Sequence, residues 1–341
     1  MYTEIFEVGQ ALSHIRLARE ADVVVVAPAT ADFLARAVHG HANDLLTTIL
    51  LAATCPVLLV PAMNDRMWSH RQTQHNVERA REIGYTVLDP AVGPLAVGEG
   101  SGPGRMPEPA DIASHVARLL EPDQSLAGTH VVVTAGATRE AIDPVRFISN
   151  HSTGRMGVAV AAAAWRRGAA VTLIASYVEV PLPPGVAVVH AGSTEELLNA
   201  VRETLPSADV LVMAAAPADF RPARVADAKI KKQGDAPTLP LTHTTDILTA
   251  TIPDRKAGSV IVGFALETND VVTYAQGKLR SKQLDLVVAN PAGEADAGFG
   301  TSTNKVTFVH ADGNVEALPV MSKDDVAEHI LDRVNAIRHG R

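Results

Sequence analysis

The stretch of this chain best suited to chemistry runs from Thr134 to Gly157. A Val-rich, strand-like run ends there in the turn Ala135-Gly136-Ala137-Thr138. The polar loop Ser149-Asn150-His151-Ser152-Thr153-Gly154 then opens an Ala-rich helical run. A glycine turn after a strand, with a small polar loop at a helix N-terminus, leaves backbone N–H groups and the positive end of a helix dipole free to hold an anion. The same residues also suit an ordinary βα turn with a capped helix. They lack Gly-x-Gly-x-x-Gly spacing, so the usual dinucleotide fingerprint is not met. Far from this stretch stands His14, whose side-chain type has an unperturbed pKa near neutrality and can act as a base. A histidine on a helix face is as readily a plain polar residue.

Such groups need a scaffold, and 341 residues suffice for two domains of ordinary size. Hydrophobic residues make up 47% and aromatics only 4%, with Ala and Val prominent, which suits a Val-rich parallel sheet covered by Ala-rich helices. A formal charge of −8 argues against a nucleic-acid partner, which normally requires a basic face. Cys55 is the single cysteine, so a disulfide framework and a cysteine-rich zinc site are excluded within one chain. No run approaches the roughly 18 apolar residues that span a membrane. No basic segment followed by an apolar one marks the N-terminus as a signal peptide. The expectation is a cytoplasmic α/β protein without a membrane partner.

In the first part, strands are expected at 21–26, 56–60 and 86–88. Helical spacing runs through 31–53, 70–83 and 110–120, and 93–109 is Gly/Pro-rich and expected to be an irregular loop. Residues 122–127 read as a linker between domains 1–121 and 128–341. The second part restarts with a strand at 130–134, then a helix at 153–167. Strand signals follow at 169–175, 186–190, 208–213, 259–264 and 284–289. Ser193-Thr194-Glu195-Glu196 is a capping-box signature. Lys305–Val309 and Val315–Leu318 flank Asp312-Gly313 as a β-hairpin before a last helix at 322–338. Alternating strands and helices imply two Rossmann-like, doubly wound parallel-sheet domains.

The segment from Thr134 to Gly157 resembles phosphopantothenate–cysteine ligase, the second half of the bifunctional bacterial coenzyme A biosynthesis protein. Further blocks of that family follow in order: Ala214-Ala215-Ala216-Pro217-Ala218-Asp219-Phe220, Lys229-Ile230-Lys231-Lys232, Thr245-Asp246-Ile247-Leu248, Gly263-Phe264-Ala265-Leu266-Glu267-Thr268, and Lys278, Lys282 with Asp285–Asn290. The resemblance covers nearly all of 128–335. It implies that the carboxylate of 4′-phosphopantothenate attacks the α-phosphate of CTP, releasing pyrophosphate, and that the amine of cysteine then displaces CMP from the acyl-cytidylate. Such transfers depend on positioning and charge neutralisation. By resemblance, Lys229, Lys278 and Lys282 face the triphosphate with Mg²⁺ sharing the charge. Ala215, Asp219, Thr245, Asp246, Ile247, Leu248 and Phe264 match nucleotide-binding positions. Asn150 matches an asparagine needed for turnover of the acyl-cytidylate, where an amide can bond both the acyl oxygen and the incoming amine. Thr244 stands where family members carry an asparagine.

Ser13-His14-Ile15-Arg16-Leu17, Pro28-Ala29-Thr30, Ala42-Asn43-Asp44 and Pro61–Trp68 resemble the flavin-dependent phosphopantothenoylcysteine decarboxylase that precedes the ligase in the fused protein. That resemblance implies FMN, with Pro28, Thr30, Ala31 and Ala62 at flavin-contacting positions and His14 at the active-site histidine. It sets Asn64 against the substrate carboxylate and Arg105, on a flap over 98–109, against its anionic end. Two departures stand out. Val97 occupies the place of the family's flap cysteine, and valine cannot donate a proton. The family also carries roughly sixty further residues before the position of His14, about two βα units in length, with a Gly/Ser loop for the FMN phosphate. The expectation is a working CTP-dependent ligase joined to an impaired or incomplete decarboxylase. The alternatives are a complete bifunctional enzyme making 4′-phosphopantetheine and a non-catalytic flavoprotein-like regulatory subunit. The resemblance also implies homo-oligomers, with ligase domains pairing as dimers and flavin domains as trimers.

Overall fold

The computed structural model describes residues 13–95, 100–232, 238–267, 270–291 and 300–340. Val97, Gly98 and Thr268 lie outside the described residues. The chain divides into two compact units, Met1–Pro122 and Asp123–Arg341. Among the described residues, no helix is long and apolar enough to cross a membrane.

The first unit runs α1 (Ser13–Glu20), β1 (Val24–Ala29), α2 (Ala31–Val38), α3 (Leu45–Ala52), β2 (Val57–Pro61), α4 (Asp65–Ser69), α5 (Arg71–Glu82), β3 (Thr86–Val87), β4 (Ala91–Pro94), β5 (Ser101–Arg105) and α6 (Pro109–Leu120). Strands β1, β2 and β3 form a parallel sheet in that order. Strand β2 is buried throughout, as an unbroken Val/Leu run predicts. The helical pattern at 31–53 is interrupted where Gly40 takes φ +71° and Asp44 caps α3 by accepting from Thr47 N–H at 2.8 Å. Local turn and cap chemistry thus overrides a continuous apolar pattern. The stretch expected to be an irregular loop instead holds the antiparallel hairpin β4–β5. Its Gly-Pro-Gly sequence follows from a close approach: Gly104, at φ +150°, lies so near Met63 that a Cβ would come within 2.1 Å of the Met63 carbonyl oxygen.

The second unit runs β6 (His130–Ala135), β7 (Arg139–Ala141), β8 (Phe147–Ser149), α7 (Arg155–Arg166), β9 (Ala170–Ala175), β10 (Ala187–His190), α8 (Thr194–Thr204), β11 (Val210–Met213), β12 (Phe220–Pro222), β13 (Leu241–His243), α9 (Ile247–Ala250), β14 (Val260–Glu267), α10 (Val271–Ser281), β15 (Leu286–Pro291), β16 (Thr303–Asn304), β17 (Thr307–His310), β18 (Val315–Ala317), β19 (Met321–Ser322) and α11 (Lys323–His339). One sheet dominates, in the order β10-β9-β6-β11-β14-β15-β17-β18. Its first six strands pair in parallel, and β17 and β18 close it antiparallel as the expected hairpin. The chain order of the parallel strands is that of a doubly wound dinucleotide fold, with its topological switch between β6 and β11.

Alternate residues of the central strands feed two cores. Val131, Val133, Val210 and Val212 pack with α7 and α11 on one face. Val132, Leu211 and Met213 pack with α8, α9 and α10 on the other. The segment read as a linker is divided: Pro122 ends the first unit, whereas Leu126 is fully buried in the second. Arg167 at the end of α7 pairs with Asp123 at 3.2 Å and with Glu328 and Asp332 of α11 at 2.8 Å each.

Gly157, in the first turn of α7, lets the helix lie directly on β6: a Cβ there would sit 2.7 Å from Thr134 O and from Ala135 Cβ. Gly157→Ala should therefore destabilise the second unit by about 1–3 kcal/mol through overpacking. Gly277→Ala, in α10 with nothing within 4 Å of the new methyl, should stabilise it by up to about 1 kcal/mol. Urea unfolding of both variants checks the opposite signs.

Candidate functional site

At the carboxyl end of the central strands lies a cavity of about 540 Å³. It sits at the switch between β6 and β11, where an open α/β sheet binds ligands. The loops around it are stitched by backbone bonds. Ala216 N–H donates to Gly136 O at 2.8 Å, Thr138 N–H to Ala216 O at 3.3 Å and Ala137 N–H to Tyr177 O at 3.2 Å. Gly136, at φ +89°, makes this possible, since a Cβ would meet Tyr177 O at 2.5 Å. Thr134 Oγ1 accepts from Ala215 N–H at 3.0 Å, Thr138 Oγ1 accepts from Ala218 N–H at 2.9 Å, and Thr244 Oγ1 donates to Ala218 O at 2.6 Å. The Ala214–Asp219 loop is thereby held from three sides, and Thr244 does part of that work.

Asn150 lines the cavity, and its Nδ2 donates to Ala216 O at 3.0 Å and Pro217 O at 3.1 Å. Two carbonyl acceptors fix the orientation of the amide. Both amide protons are thus used, and Oδ1 remains as an acceptor.

On the α9–α10 side, Asp246 caps α9 by accepting from Thr249 N–H at 2.9 Å and pairs with Lys282. Burial pushes the Asp246 carboxyl up, but Lys282 and the Thr249 N–H outweigh it and hold the group below the usual carboxylate range. Lys278 Nζ donates to the Phe264 carbonyl. Ala215, Asp219, Thr245, Ile247, Leu248 and Phe264 line the same cavity, so the structure gathers all but one of the residues matched to the nucleotide. The exception is Lys229, which is not among the lining residues. Its neighbour Ile230 is fastened to the β7–β8 turn, donating N–H to Asp143 at 3.1 Å and accepting from Arg146 at 2.7 Å. Arg146, and after burial the surrounding N–H groups, hold the Asp143 carboxyl far below its ordinary range.

Arg155 and Asn290, which lie within the quoted blocks but received no individual role, also line the cavity, as do Asn304, Lys323 and His243, which the sequence did not single out. Asn290 Nδ2 donates to Asn304 Oδ1 at 3.0 Å, while its buried Oδ1 has no partner among the described residues. Sequence carried one signal for Lys323, a basic residue following the N-cap Ser322, where acids are usual.

In the first unit, Thr30 caps α2 by accepting from Phe33 N–H at 3.1 Å. Pro28 and Ala31 flank Ala29 and Thr30 at the end of β1, and Ala62 N–H donates to Ala29 O at 3.2 Å. The flavin-matched residues are therefore brought together at the ends of β1 and β2. The β4–β5 hairpin docks beside Asn64 through Met63 N–H and Gly104 O at 3.0 Å. Asn64 caps α4, accepting from Arg66 N–H at 3.0 Å, and Arg105 pairs with Glu108. His14 lies on α1, which packs on α3, and its Nδ1 is buried without a partner among the described residues.

Comparison with known proteins accounts for both units. Residues 126–337 match the family described as DNA/pantothenate metabolism flavoprotein C-terminal domain, and residues 1–121 match the Flavoprotein family. The chain is 48% identical, over 97% of its length and 82% of the relative's, to the coenzyme A biosynthesis bifunctional protein CoaBC of Mycobacterium tuberculosis strain H37Rv. It is 43% identical to that of Bacillus subtilis strain 168, over 99% and 84% of the two chains. The crystal structure of the C-terminal domain of a CoaBC protein superposes with a TM-score of 0.55 at 35% identity, covering 64% of this chain and all of that domain. A DNA/pantothenate metabolism flavoprotein from Streptococcus pneumoniae gives 0.52 at 25% identity, covering 61% and 98%. The chain therefore belongs to the CoaBC family of bifunctional coenzyme A biosynthesis enzymes, with a decarboxylase domain of the flavoprotein type followed by a ligase domain.

Proposed function

We propose that the second unit joins 4′-phosphopantothenate to cysteine at the expense of CTP, through an acyl-cytidylate. The observation that carries this is the switch-point cavity, in which Asn150 and the Lys278–Lys282 side meet. Phe264 and Leu248 provide an apolar wall for a pyrimidine, and Lys278 and Lys282 neutralise phosphate charge as pyrophosphate leaves. No group of three His, Cys, Asp or Glu side chains gathers among the described residues. Mg²⁺ bound to the nucleotide phosphates would share that charge, and Asp219 and Asp246 are carboxylates lining the cavity.

Asn150 has spent its donors on the backbone, so its Oδ1 accepts from the neutral amine of cysteine, formed by loss of the ammonium proton to solvent, and sets its lone pair for attack. It does not donate to the acyl oxygen. Asn150→Asp sets carboxylate oxygens against two carbonyls and should slow cysteine-dependent CMP release by about a hundredfold, while CTP- and acid-dependent pyrophosphate release persists in a single turnover. Absence of pyrophosphate release from the unmodified protein with all substrates present would falsify the ligase proposal.

For the first unit we propose FMN-dependent decarboxylation of the ligase product. Bound FMN supplies reversible oxidation of the substrate thiol. The protein's share is to hold flavin between the ends of β1 and β2, to keep His14 as a base, whose buried Nδ1 lacks a partner among the described residues, and to place Asn64 and Arg105 for the anionic substrate. Val97 has no proton to give where the family's flap carries cysteine, so the reaction is expected to stop at the enethiol. Val97→Cys should restore 4′-phosphopantetheine formation, read by mass spectrometry of the products. Full conversion by the unmodified protein would rule out the block.

Pairing of second units as dimers is proposed through the small hairpins β7–β8 and β12–β13, which expose Phe147, Phe220 and Leu241. Phe220→Asp with Leu241→Asp should then halve the mass measured by light scattering, and an unchanged mass would place the interface elsewhere. Water-soluble small-molecule substrates are in keeping with a cytoplasmic enzyme.

A further inference from the structure

Glu140, on the small strand β7, is only 6% exposed and is not among the residues lining the cavity. Its Oε1 accepts from Thr194 N–H at 2.9 Å and from Thr194 Oγ1 at 2.8 Å. Helix α8 does not need these bonds for its own start. Ser193 Oγ accepts from Glu196 N–H at 3.2 Å, and the Glu196 carboxylate accepts from Ser193 N–H at 3.2 Å, which completes a capping box. A buried carboxylate is costly to keep unless its bonds are made, and the bonds of Glu140 reach well beyond α8.

The hydroxyls next to Glu140 form a row that its carboxylate gives one direction. A carboxylate only accepts, so Thr194 gives it the single proton of its hydroxyl. The other oxygen near that proton, Ala218 O at 3.5 Å, already accepts from Thr244 Oγ1 at 2.6 Å. Thr138 Oγ1 lies 3.0 Å from Thr194 Oγ1, and with the Thr194 proton taken it must be the donor of that pair. Its own oxygen is left to accept from Ala218 N–H at 2.9 Å. The order is therefore Ala218 to Thr138, Thr138 to Thr194 and Thr194 to Glu140. All four residues are buried, so solvent does not compete for these groups.

Thr138 is where this row meets the loops around Asn150. Its carbonyl accepts from Ser149 Oγ at 2.7 Å, next to Asn150, and its N–H donates to Ala216 O at 3.3 Å. Ala216 O and Pro217 O are the two acceptors that orient the Asn150 amide. The backbone beside Asn150 and the carbonyls that hold its side chain thus both hang on one buried threonine. We propose that Glu140 is a positioning residue for the ligase reaction. Through Thr194 and Thr138 it keeps the Ala216–Pro217 carbonyls in register with Asn150, so that Asn150 Oδ1 stays aimed at the amine of cysteine. Glu140 itself touches no substrate. The proposal rests on the ligase reading for the step it serves. The row of hydrogen bonds can be measured without turnover, so the two can fail separately.

Hydrogen exchange and single-turnover kinetics on the full chain provide the test, with Glu140→Met, Thr194→Val and Thr194→Ser each checked for folding by circular dichroism. Without ligands, exchange at the Ala218 amide should quicken roughly fivefold or more in Glu140→Met and Thr194→Val. With CTP, Mg²⁺ and 4′-phosphopantothenate saturating, both variants should release pyrophosphate at the unmodified rate but slow cysteine-dependent CMP release by about tenfold. Thr194→Ser, which keeps the hydroxyl, should rescue both readings. In an Asn150→Ala background, Glu140→Met should slow CMP release by less than about twofold further, as expected of residues that act as one unit. General damage to the fold would slow both half-reactions and add to the Asn150→Ala loss. If Glu140→Met does not fold, Thr194→Val carries the same readings. CMP release within about twofold of the unmodified rate in Thr194→Val, or an equal loss of pyrophosphate release, overturns the proposal. Quickened Ala218 exchange in a protein whose unmodified form releases no pyrophosphate sinks the ligase reading and leaves the hydrogen-bonded row standing.

Discussion

The ligase unit depends on how closely α7 is drawn onto β6. With no side chain at Gly157, the helix packs so closely that a Cβ there would lie only 2.7 Å from Thr134 O and Ala135 Cβ. That contact sets the N-terminus of α7 at the switch between β6 and β11. Gly136 performs the same service for the loop after β6, which then shares backbone bonds with the loops after β9 and β11. Backbone bonds among these loops hold the cavity wall together, and preorganised polar groups of this kind are what electrostatic stabilisation depends on. The salt bridges of Arg167 hold the other end of α7 to α11, so one helix links the core to the cavity from end to end.

Charge in the cavity is arranged by a similar logic. Lys278 and Lys282 are tethered to a carbonyl and a carboxylate, which keeps flexible cations in place without leaving them unpaired. Asn150 is tethered through its donors to the Ala216 and Pro217 carbonyls, which leaves its Oδ1 as an acceptor. An amide side chain can donate and accept, and only the partners at 3.0 and 3.1 Å show which of its groups are already engaged.

Much of the second unit was legible in the sequence because its signals are local. Val-rich runs at 130–134, 208–213 and 284–289 have the composition of strands buried on both faces. Ser193 and Glu196 form the capping box as expected, and Asp312-Gly313 turns the terminal hairpin. The residues matched by resemblance to a nucleotide were legible as ordered blocks, and one cavity gathers them except Lys229. Arg155 and Lys323 were harder to find, since they are 168 positions apart in sequence and meet only because α7 packs on α11. In the first unit the break at Gly40 and Asp44 and the β4–β5 hairpin were misjudged. A single φ +71° glycine ends a helix that composition would continue, and Gly-Pro-Gly reads as loop although backbone pairing makes it a strand.

The central claim is that a carboxylate of the acid attacks the α-phosphate of CTP before cysteine enters. It is tested most directly by running the reaction with 4′-phosphopantothenate carrying oxygen-18 in its carboxylate. The oxygen that attacks phosphorus stays with the nucleotide when the amine displaces it, so CMP should emerge with one heavy oxygen per turnover. Unlabelled CMP, or label in pyrophosphate or inorganic phosphate, would contradict the account.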